Sequence, residues 1–255
     1  MKRPIIYPYS MTSKSARQLK EALNTFLVYP DRAYIYRPND LIINWGNSRF
    51  PTWWSEEAEY NCLNSPARVY NAVSKIRTLG LLSHFGASTP EWTEQRQTAK
   101  DWITNGDLVF CRTLLSSSGG AGIVIARTIA ELSYAPLYTK YVNNDKEYRI
   151  HVFRGKVIMA VQKLVRRNSP TEYRGLIRNN DNTVFKQVEV YPNIVAEKAI
   201  CAVNALGLDF GAVDIGMNYS EGKAYIFEVN TACGIGENTM KAYVKAIQTC
   251  LEEQA

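Results

Sequence analysis

Hydrophobic and polar positions alternate in two neighbouring segments of the C-terminal third of the chain, 212–217 and 225–230. Because successive side chains of a strand point to opposite faces, this alternation predicts two β-strands. The residues between them, 219–223, are typical of a turn and include a glycine that accepts a positive φ. Such a turn would place Asp214 directly opposite Glu228. The pattern therefore predicts a hairpin that carries two facing carboxylates.

The facing carboxylates indicate a cation between them. Like charges directly opposite each other on paired strands are destabilising, and a bound cation would remove that repulsion. Oxygen ligands suit a hard ion such as Mg²⁺, which proteins hold with one or two carboxylates and substrate phosphates. The alternative is an ordinary hairpin whose two acids face solvent. Strict alternation divides the second strand into Ile226, Glu228 and Asn230 on one face and Tyr225, Phe227 and Val229 on the other.

The rest of the chain alternates between strand-like and helix-like patterns. Short apolar or alternating runs predict strands at 5–8, 34–36, 41–45, 107–112, 121–126, 137–142, 147–153 and 156–165. Apolar residues at helical spacing predict helices at 13–26, 65–79, 93–103, 192–207 and 238–250. The mixed order of strands and helices predicts an α/β (α+β) protein.

One predicted strand, 147–153, carries Glu147, Arg149 and His151 on the same face. Polar groups on an interior sheet need polar partners, which a bound nucleotide or a solvated face would supply. The other histidine, His84, is expected to pack at a helix end. Neither histidine has the Ser/His/Asp or Cys/His spacing that nucleophilic catalysis would require.

A loop of serines and glycines, 113–120, lies between two predicted strands. Its backbone N–H groups and small side chains could fold over phosphates. It differs from a Walker P-loop, because the GxxxxGK[ST] pattern is missing and a strand rather than a helix follows. A flexible hairpin turn is the alternative interpretation.

Composition excludes several classes of protein. The chain has 255 residues, of which 46% are hydrophobic and 21% charged, as in ordinary globular proteins. A net charge of +6 and a pI near 9.0 allow an anionic partner, such as a nucleotide, an acidic peptide or nucleic acid. Five widely spaced cysteines indicate a reducing compartment without disulfides or a zinc site. No segment has the pattern of a signal peptide or a membrane span, so we expect a soluble cytoplasmic protein without a membrane partner.

Several segments, in this order, resemble the ATP-grasp superfamily of ligases. GAVDIGMN followed by YIFEVNTACGIG is similar to the family's Mg²⁺ segment, and VFCRTLLSSSGGAGIVIA to its glycine loop between two strands. LYTKYVNNDKEYRIHVFRGKVI resembles the adenine hinge and ribose-binding acid, and SPARVYNAVSKIRTL stands where the family has the helix with its first nucleotide lysine. The resemblance covers about 65–245 and extends to ribosomal-protein-modifying glutamate ligases, D-alanine-ligase-like enzymes and phage-type ATP-grasp proteins.

The resemblance implies an ATP-grasp fold in three parts. An N-terminal α/β unit would occupy 1–64, a central subdomain with the glycine-rich loop 65–136, and a C-terminal subdomain with the metal site 137–255. The last two would enclose ATP between them.

The resemblance also assigns roles to individual residues. Mg²⁺, with Mn²⁺ as an alternative ion, would be held by Asp214, Glu228 and Asn230. ATP would be bound by Lys75, Arg112, Ser117, Ser118, Gly119, Gly120, Lys140, Tyr141, Val142 and Glu147. Charge on the transferred phosphoryl group would be neutralised by Arg149, Lys163 and Arg178. The family usually has a lysine at the position of Arg112, and arginine keeps the charge and can bind phosphate with two donors.

The activity that the resemblance implies is an ATP- and Mg²⁺-dependent carboxylate–amine ligase that forms an amide or peptide-type bond through an acylphosphate. Its partners would be ATP, an amine and a carboxylate from an amino acid, a peptide, or a protein C-terminus or side chain. One alternative is an ATP-grasp-fold kinase that phosphorylates a hydroxyl. Another is a non-catalytic basic protein that binds nucleotide or nucleic acid. The sequence leaves the substrates and the oligomeric state open.

Overall fold

The computed structural model describes residues 2–115, 121–166 and 183–253. Within these ranges the chain forms three sheets, one parallel and two antiparallel. No helix in the described ranges is long and apolar enough to cross a membrane. The predicted phosphate-loop residues Ser117, Ser118, Gly119 and Gly120 and the predicted catalytic residue Arg178 lie outside the described residues.

The N-terminal sheet is parallel, in the order β1-β2-β3. Its elements are β1 (Arg3–Pro8), α1 (Lys14–Ala22), β2 (Asp40–Trp45), α2 (Glu56–Tyr60) and β3 (Cys62–Leu63). The Ser13 hydroxyl accepts a hydrogen bond from the Ala16 backbone N–H and caps α1, as the sequence indicates. The predicted strand at 34–36 was wrong. Side chains anchor that segment instead, because the Tyr34 hydroxyl bonds the buried Asp40 and its ring packs on Trp53.

The second sheet is antiparallel, in the order β4-β7-β5-β6. The elements of this part are α3 (Pro66–Val73), α4 (Lys75–His84), β4 (Trp92–Thr93), α5 (Arg96–Thr104), β5 (Val109–Arg112), β6 (Ile123–Ala126), a 3₁₀ turn (Ile129–Glu131) and β7 (Leu137–Lys140). The single helix predicted at 65–79 was wrong, because Ser74 is extended with φ −88° and ψ 113°. The Thr78 hydroxyl donates to the Asn71 carbonyl across this break, so the second helix begins at Lys75.

The third sheet is antiparallel, in the order β10-β9-β8-β11-β12. The elements are β8 (Lys146–Phe153), β9 (Lys156–Val165), β10 (Thr183–Gln187), α6 (Asn193–Ala205), β11 (Phe210–Asn218), β12 (Lys223–Asn230) and α7 (Glu237–Glu253). One face of this sheet packs on α6 through a wholly apolar core that includes Val213 and Ile215. These two residues therefore face away from Asp214, as the alternation predicts.

The opposite face of this sheet is apolar only at one end, where the N-terminal unit and α7 cover it. Trp45 stacks on Phe210 at 5.6 Å between ring centres and meets the edge of Tyr243 at 5.2 Å. The middle of this face carries charged side chains from β8, β9, β11 and β12. The packing of the chain thus leaves one polar surface between its apolar elements, and that surface holds the candidate site.

Candidate functional site

The hairpin of β11 and β12 has the predicted register, with Asp214 opposite Glu228 and Ala212 opposite Asn230. The next pair after a register shift is Ile215 with Ile226, so Phe227 is the extra residue of a β-bulge. The bulge shifts the alternation of side chains between the two faces of β12, which a strict two-residue period does not predict.

Because of the bulge, the prediction for the faces of β12 was wrong in part. Ile226 and Val229 both enter the apolar core, whereas Ile226 was expected beside Glu228. The Phe227 ring instead lies over the backbone of Gly216, where a Cβ atom would meet it at 2.4 Å. Only glycine at 216 permits this close approach.

Asp214 is bound by two cations. Arg149, on the neighbouring strand, donates Nε to Oδ1 at 2.7 Å and Nη2 to Oδ2 at 2.9 Å. Lys163 Nζ lies 3.2 Å from Oδ2. The Asp214 carboxyl is 6% exposed and the Arg149 side chain 12%, so this ion pair lies almost entirely out of water.

Lys163 also bonds the carboxylate of Glu147, which lies directly opposite it on β8. Lys163 therefore joins the acid expected to bind ribose to the acid expected to bind metal. The sequence placed Arg149 and Lys163 against a transferred phosphoryl group. In the structure they balance two buried acids.

The charges in this cluster stabilise one another. Burial disfavours the ionised form of Asp214, but Arg149 and Lys163 more than offset it and hold the pKa of Asp214 below its ordinary value. Burial likewise opposes the charge on Arg149 and on Lys163, yet Asp214 raises the pKa of both, with Glu147 adding to the effect on Lys163. Asp214, Arg149 and Lys163 are therefore charged at neutral pH.

Glu228 belongs to a second group of charges. Lys75 Nζ lies 3.8 Å from Glu228 Oε1, and the Glu228 side chain is 36% exposed. Burial lowers the pKa of Lys75 despite the Glu228 charge, and Arg112 lowers it further. Burial also lowers the pKa of Arg112, and Glu228 opposes that shift. The structure thus brings together Lys75 and Arg112, predicted to bind ATP, and Glu228, predicted to bind metal.

The predicted hinge lies at the end of β7. The Lys140 side chain is engaged by Asp107 at 3.0 Å and Glu91 at 3.1 Å, so it supports the hinge. The Tyr141 backbone N–H donates to Leu108. The Val142 carbonyl accepts from the Asn144 side chain at 3.4 Å.

Three contacts beside the cluster were not predicted. The Cζ atom of Arg149 lies 5.0 Å from the centre of the Phe185 ring. His151 Nδ1 lies 3.2 Å from the Tyr243 hydroxyl and 3.7 Å from Cys233 Sγ. The polar face of 147–153 indicated that His151 needs a partner, but no pattern pointed to Phe185 or Tyr243.

The residues proposed for Mg²⁺ fit a hard cation. The buried Nδ2 of Asn230 has no hydrogen-bond partner among the described residues, and a half-turn of the amide would place Oδ1 there as a ligand. Oδ1 of Asp214 accepts a single hydrogen bond from Arg149, which leaves it a further lone pair. Across the described ranges no three His, Cys, Asp or Glu side chains form a metal cluster. A site here would therefore use two carboxylates, an amide and ligand oxygens.

Solved structures of ATP-grasp ligases share this fold. PsnB, an ATP-grasp ligase complexed with a minimal precursor, aligns with a TM-score of 0.68 over 100% of this chain and 99% of that chain, at 14% identity. A Chryseobacterium gregarium RiPP-associated ATP-grasp ligase, in complex with ADP and a leader and core peptide, gives 0.66 over 100% and 98%, at 15% identity. D-alanine–D-alanine ligase from Bacillus anthracis gives 0.64 over 100% of both chains, at 13% identity.

A relative is also found by sequence. A probable alpha-L-glutamate ligase of Rhodopirellula baltica is 26% identical over 199 residues, which cover 71% of this chain. The chain spans about half the length of that curated relative, 46%. No protein-family profile matches the sequence. The fold predicted from the sequence is confirmed by the structural likeness, and the chain has the fold that these ATP-grasp ligases share.

Proposed function

We propose that this protein is an ATP- and Mg²⁺-dependent carboxylate–amine ligase. The observation that carries the proposal is the charged surface of the third sheet, where Asp214 faces Glu228 and cations approach both acids. In the ATP-grasp fold such a surface would serve as the floor of a nucleotide site. The three-part division at 1–64, 65–136 and 137–255 belongs to this proposal.

ATP would lie between the second and third sheets. Lys75 and Arg112 would face its phosphates, the backbone of 140–142 its adenine, and Glu147 its ribose. Residues 117–120, outside the described part of the chain, would cover the β and γ phosphates.

The metal ions would be held by Asp214, Glu228 and Asn230. Bound Mg²⁺ would supply positive charge at the phosphate oxygens. Arg149 and Lys163 are already charged and fixed, so they would not have to reorganise as negative charge develops on the transferred phosphoryl group. Arg178 is proposed for the same role. Phosphoryl transfer depends mainly on such positioning and charge neutralisation, which is what these side chains offer.

The proposed reaction has two steps. A carboxylate oxygen of the acid substrate attacks the γ-phosphorus of ATP, and ADP leaves with the electrons of the broken P–O bond. The amine nitrogen then attacks the acyl carbon, phosphate leaves, and the amine loses a proton. Two of the similar structures contain peptides, and the name of the relative contains glutamate. We therefore propose an amino acid or peptide as the acid substrate.

The five cysteines are free. Free thiols support a reducing compartment, and we place the protein in the cytoplasm on that basis.

The test is ADP release with Mg²⁺ over a panel of amino acids and peptides, offered singly and in pairs. ADP formed only when an acid and an amine are both present, with an amide product in the mass spectrum, supports the ligase. A phosphorylated alcohol would replace this proposal with a kinase. Tight nucleic-acid binding without ATP binding or turnover would contradict any ATP-dependent activity.

A further inference from the structure

Phe185 is an aromatic residue at the edge of the charged surface, on β10. It pairs with Lys163 of β9, so both side chains stand on the face that carries the ion pairs. The ring is 37% exposed, and its centre lies 5.0 Å from Cζ of Arg149. A half-exposed phenylalanine beside a buried arginine–aspartate pair contributes little to an apolar core. The guanidinium group lies within cation–π distance of the ring.

Arg149 makes two hydrogen bonds to Asp214 and a cation–π contact with Phe185. Asp214 takes two hydrogen bonds at the edge, from Nε and Nη2. A guanidinium has five N–H donors, so three remain after those two bonds. An aromatic ring over the face is attracted by the positive charge and takes up none of these donors. Phe185 can therefore fix the tilt of the guanidinium while its remaining donors stay available.

We propose that Phe185 is a positioning residue, which holds the Arg149 guanidinium so that its remaining donors face the phosphoryl group during transfer. The proposal rests on the proposed function, because that function assigns Arg149 to the transferred phosphoryl. Asp214 alone leaves the group free to swing about the line of its two hydrogen bonds. The ring of Phe185, which reaches across β9 from β10, removes that freedom.

The location of Phe185 makes it a practical target. Lys163, which lies opposite Phe185, is held by ion pairs with Glu147 and Asp214. The exposed fraction of the ring means that truncation would open no sealed cavity. Val184, the preceding residue on the same strand, is 49% exposed, and its side chain stands on the opposite face of the sheet. Val184→Ala is thus a matched control for any loosening of β10.

The experiment compares Phe185→Leu with Phe185→Tyr. Leucine keeps apolar bulk but has no π-system, whereas tyrosine keeps the ring. We expect the kcat of Phe185→Leu to fall about tenfold, the effect of about 1.4 kcal/mol in the transition state, with KM for ATP changed less than about twofold. Phe185→Tyr and Val184→Ala should both keep the kcat of the wild type. If the wild type is active and Phe185→Leu has the same kcat, the proposal is overturned.

A second measurement does not depend on turnover. The Nε–H of Arg149, identified by its loss in Arg149→Lys, should give a slowly exchanging ¹⁵N-resolved NMR signal, because it is bonded to Asp214. Its chemical shift should move in Phe185→Leu and stay in place in Phe185→Tyr, since a ring above the guanidinium shields that proton. An unmoved signal in Phe185→Leu would contradict the contact itself. An inactive wild type with a moved signal would instead defeat the proposed function and leave the contact established.

Discussion

Arg149 donates to both carboxylate oxygens of Asp214, at 2.7 and 2.9 Å, across adjacent strands of the third sheet. Such a paired arrangement of two parallel N–H bonds is the geometry in which arginine binds carboxylates most strongly. It makes an acid expected to bind metal also the acid that neutralises a buried arginine. The stability of the fold and the proposed chemistry would therefore depend on the same side chain.

Asp214→Asn should destabilise the protein by about 3–5 kcal/mol, because it leaves Arg149 and Lys163 buried without their shared anion. Urea unfolding followed by circular dichroism at pH 7 would measure the change. Asp101→Asn, at an exposed position of α5, is the control and should change stability by less than about 0.5 kcal/mol. A loss equal to that of the control would mean that the pair contributes nothing.

Glu228→Gln should abolish turnover and leave the protein folded. The side chain is 36% exposed and its ion pair with Lys75 is long, at 3.8 Å, so we expect stability to change by less than about 1 kcal/mol. Turnover would fail because the neutral amide is a poor ligand for a divalent cation beside Asp214. ADP release and the unfolding midpoint of the same preparation separate the two effects. Full activity would refute the metal assignment.

Periodicity was sufficient to predict the hairpin but not its bulge. Asp214 and Glu228 face each other as the alternation indicated, because register follows from the turn. Phe227 could not be identified as the extra residue from the sequence, because a bulge can be recognised only when the pairing of the two strands is known. Ser74 similarly interrupts a sequence whose apolar spacing is helical throughout.

The partners of the charged residues could not be predicted from the sequence for a different reason. The alternation placed Arg149 on a polar face but could not show that β8 lies beside β11, 65 residues further along the chain. Only this strand order turns Arg149 towards Asp214. The proposed role of Phe185 depends on a contact that reaches from β10 across β9 to Arg149 on β8, which no sequence pattern shows.

The sequence resemblance implies a lysine at the position of Arg112, so Arg112→Lys should retain nucleotide binding. Arg112→Met should weaken ADP·Mg²⁺ binding about tenfold or more, because it removes a charged donor from the phosphates. Isothermal titration calorimetry with ADP and Mg²⁺ measures both affinities. Arg127→Met removes an exposed arginine of the same subdomain and should leave them unchanged. Equal affinities for the wild type and Arg112→Met would exclude Arg112 from the nucleotide site.

Gly46→Ala should destabilise the contact between the N-terminal unit and the loop after Asn230. A Cβ atom at position 46 would lie 2.5 Å from the Cβ of Ala232, and the backbone φ there is +83°. Gly86 has a similar φ of +68° with nothing within 4 Å, so Gly86→Ala carries the backbone strain alone.

The backbone strain common to both variants is about 1–2 kcal/mol. The free energy of unfolding of Gly46→Ala should fall by at least about 1 kcal/mol more than that of Gly86→Ala, the usual effect of overpacking. Urea unfolding of the two variants gives the difference. Identical losses would show that the loop yields to the added methyl group.

His151 should make the protein sensitive to acid through its own titration. Burial first, and then the neighbouring charge of Arg149, lower the pKa of His151 to about 3, although Asp214 acts in the opposite direction. The other groups against it, Tyr243 and Cys233, have pKa values raised by burial and are neutral. The folded protein thus keeps His151 neutral where the unfolded chain, with an ordinary pKa of about 6.5, binds a proton.

A folded-state pKa below the unfolded value means that the stability from His151 is complete above about pH 6.5 and is lost as the pH falls towards 3. By pH 4 the loss should reach about 3 kcal/mol. His151→Gln should remove this part of the slope when unfolding free energies are compared between pH 7 and pH 4. His84→Gln, which replaces the exposed histidine at the end of α4, should retain it. If both variants keep the wild-type slope, His151 does not carry the acid sensitivity, because a neutral glutamine cannot titrate in its place.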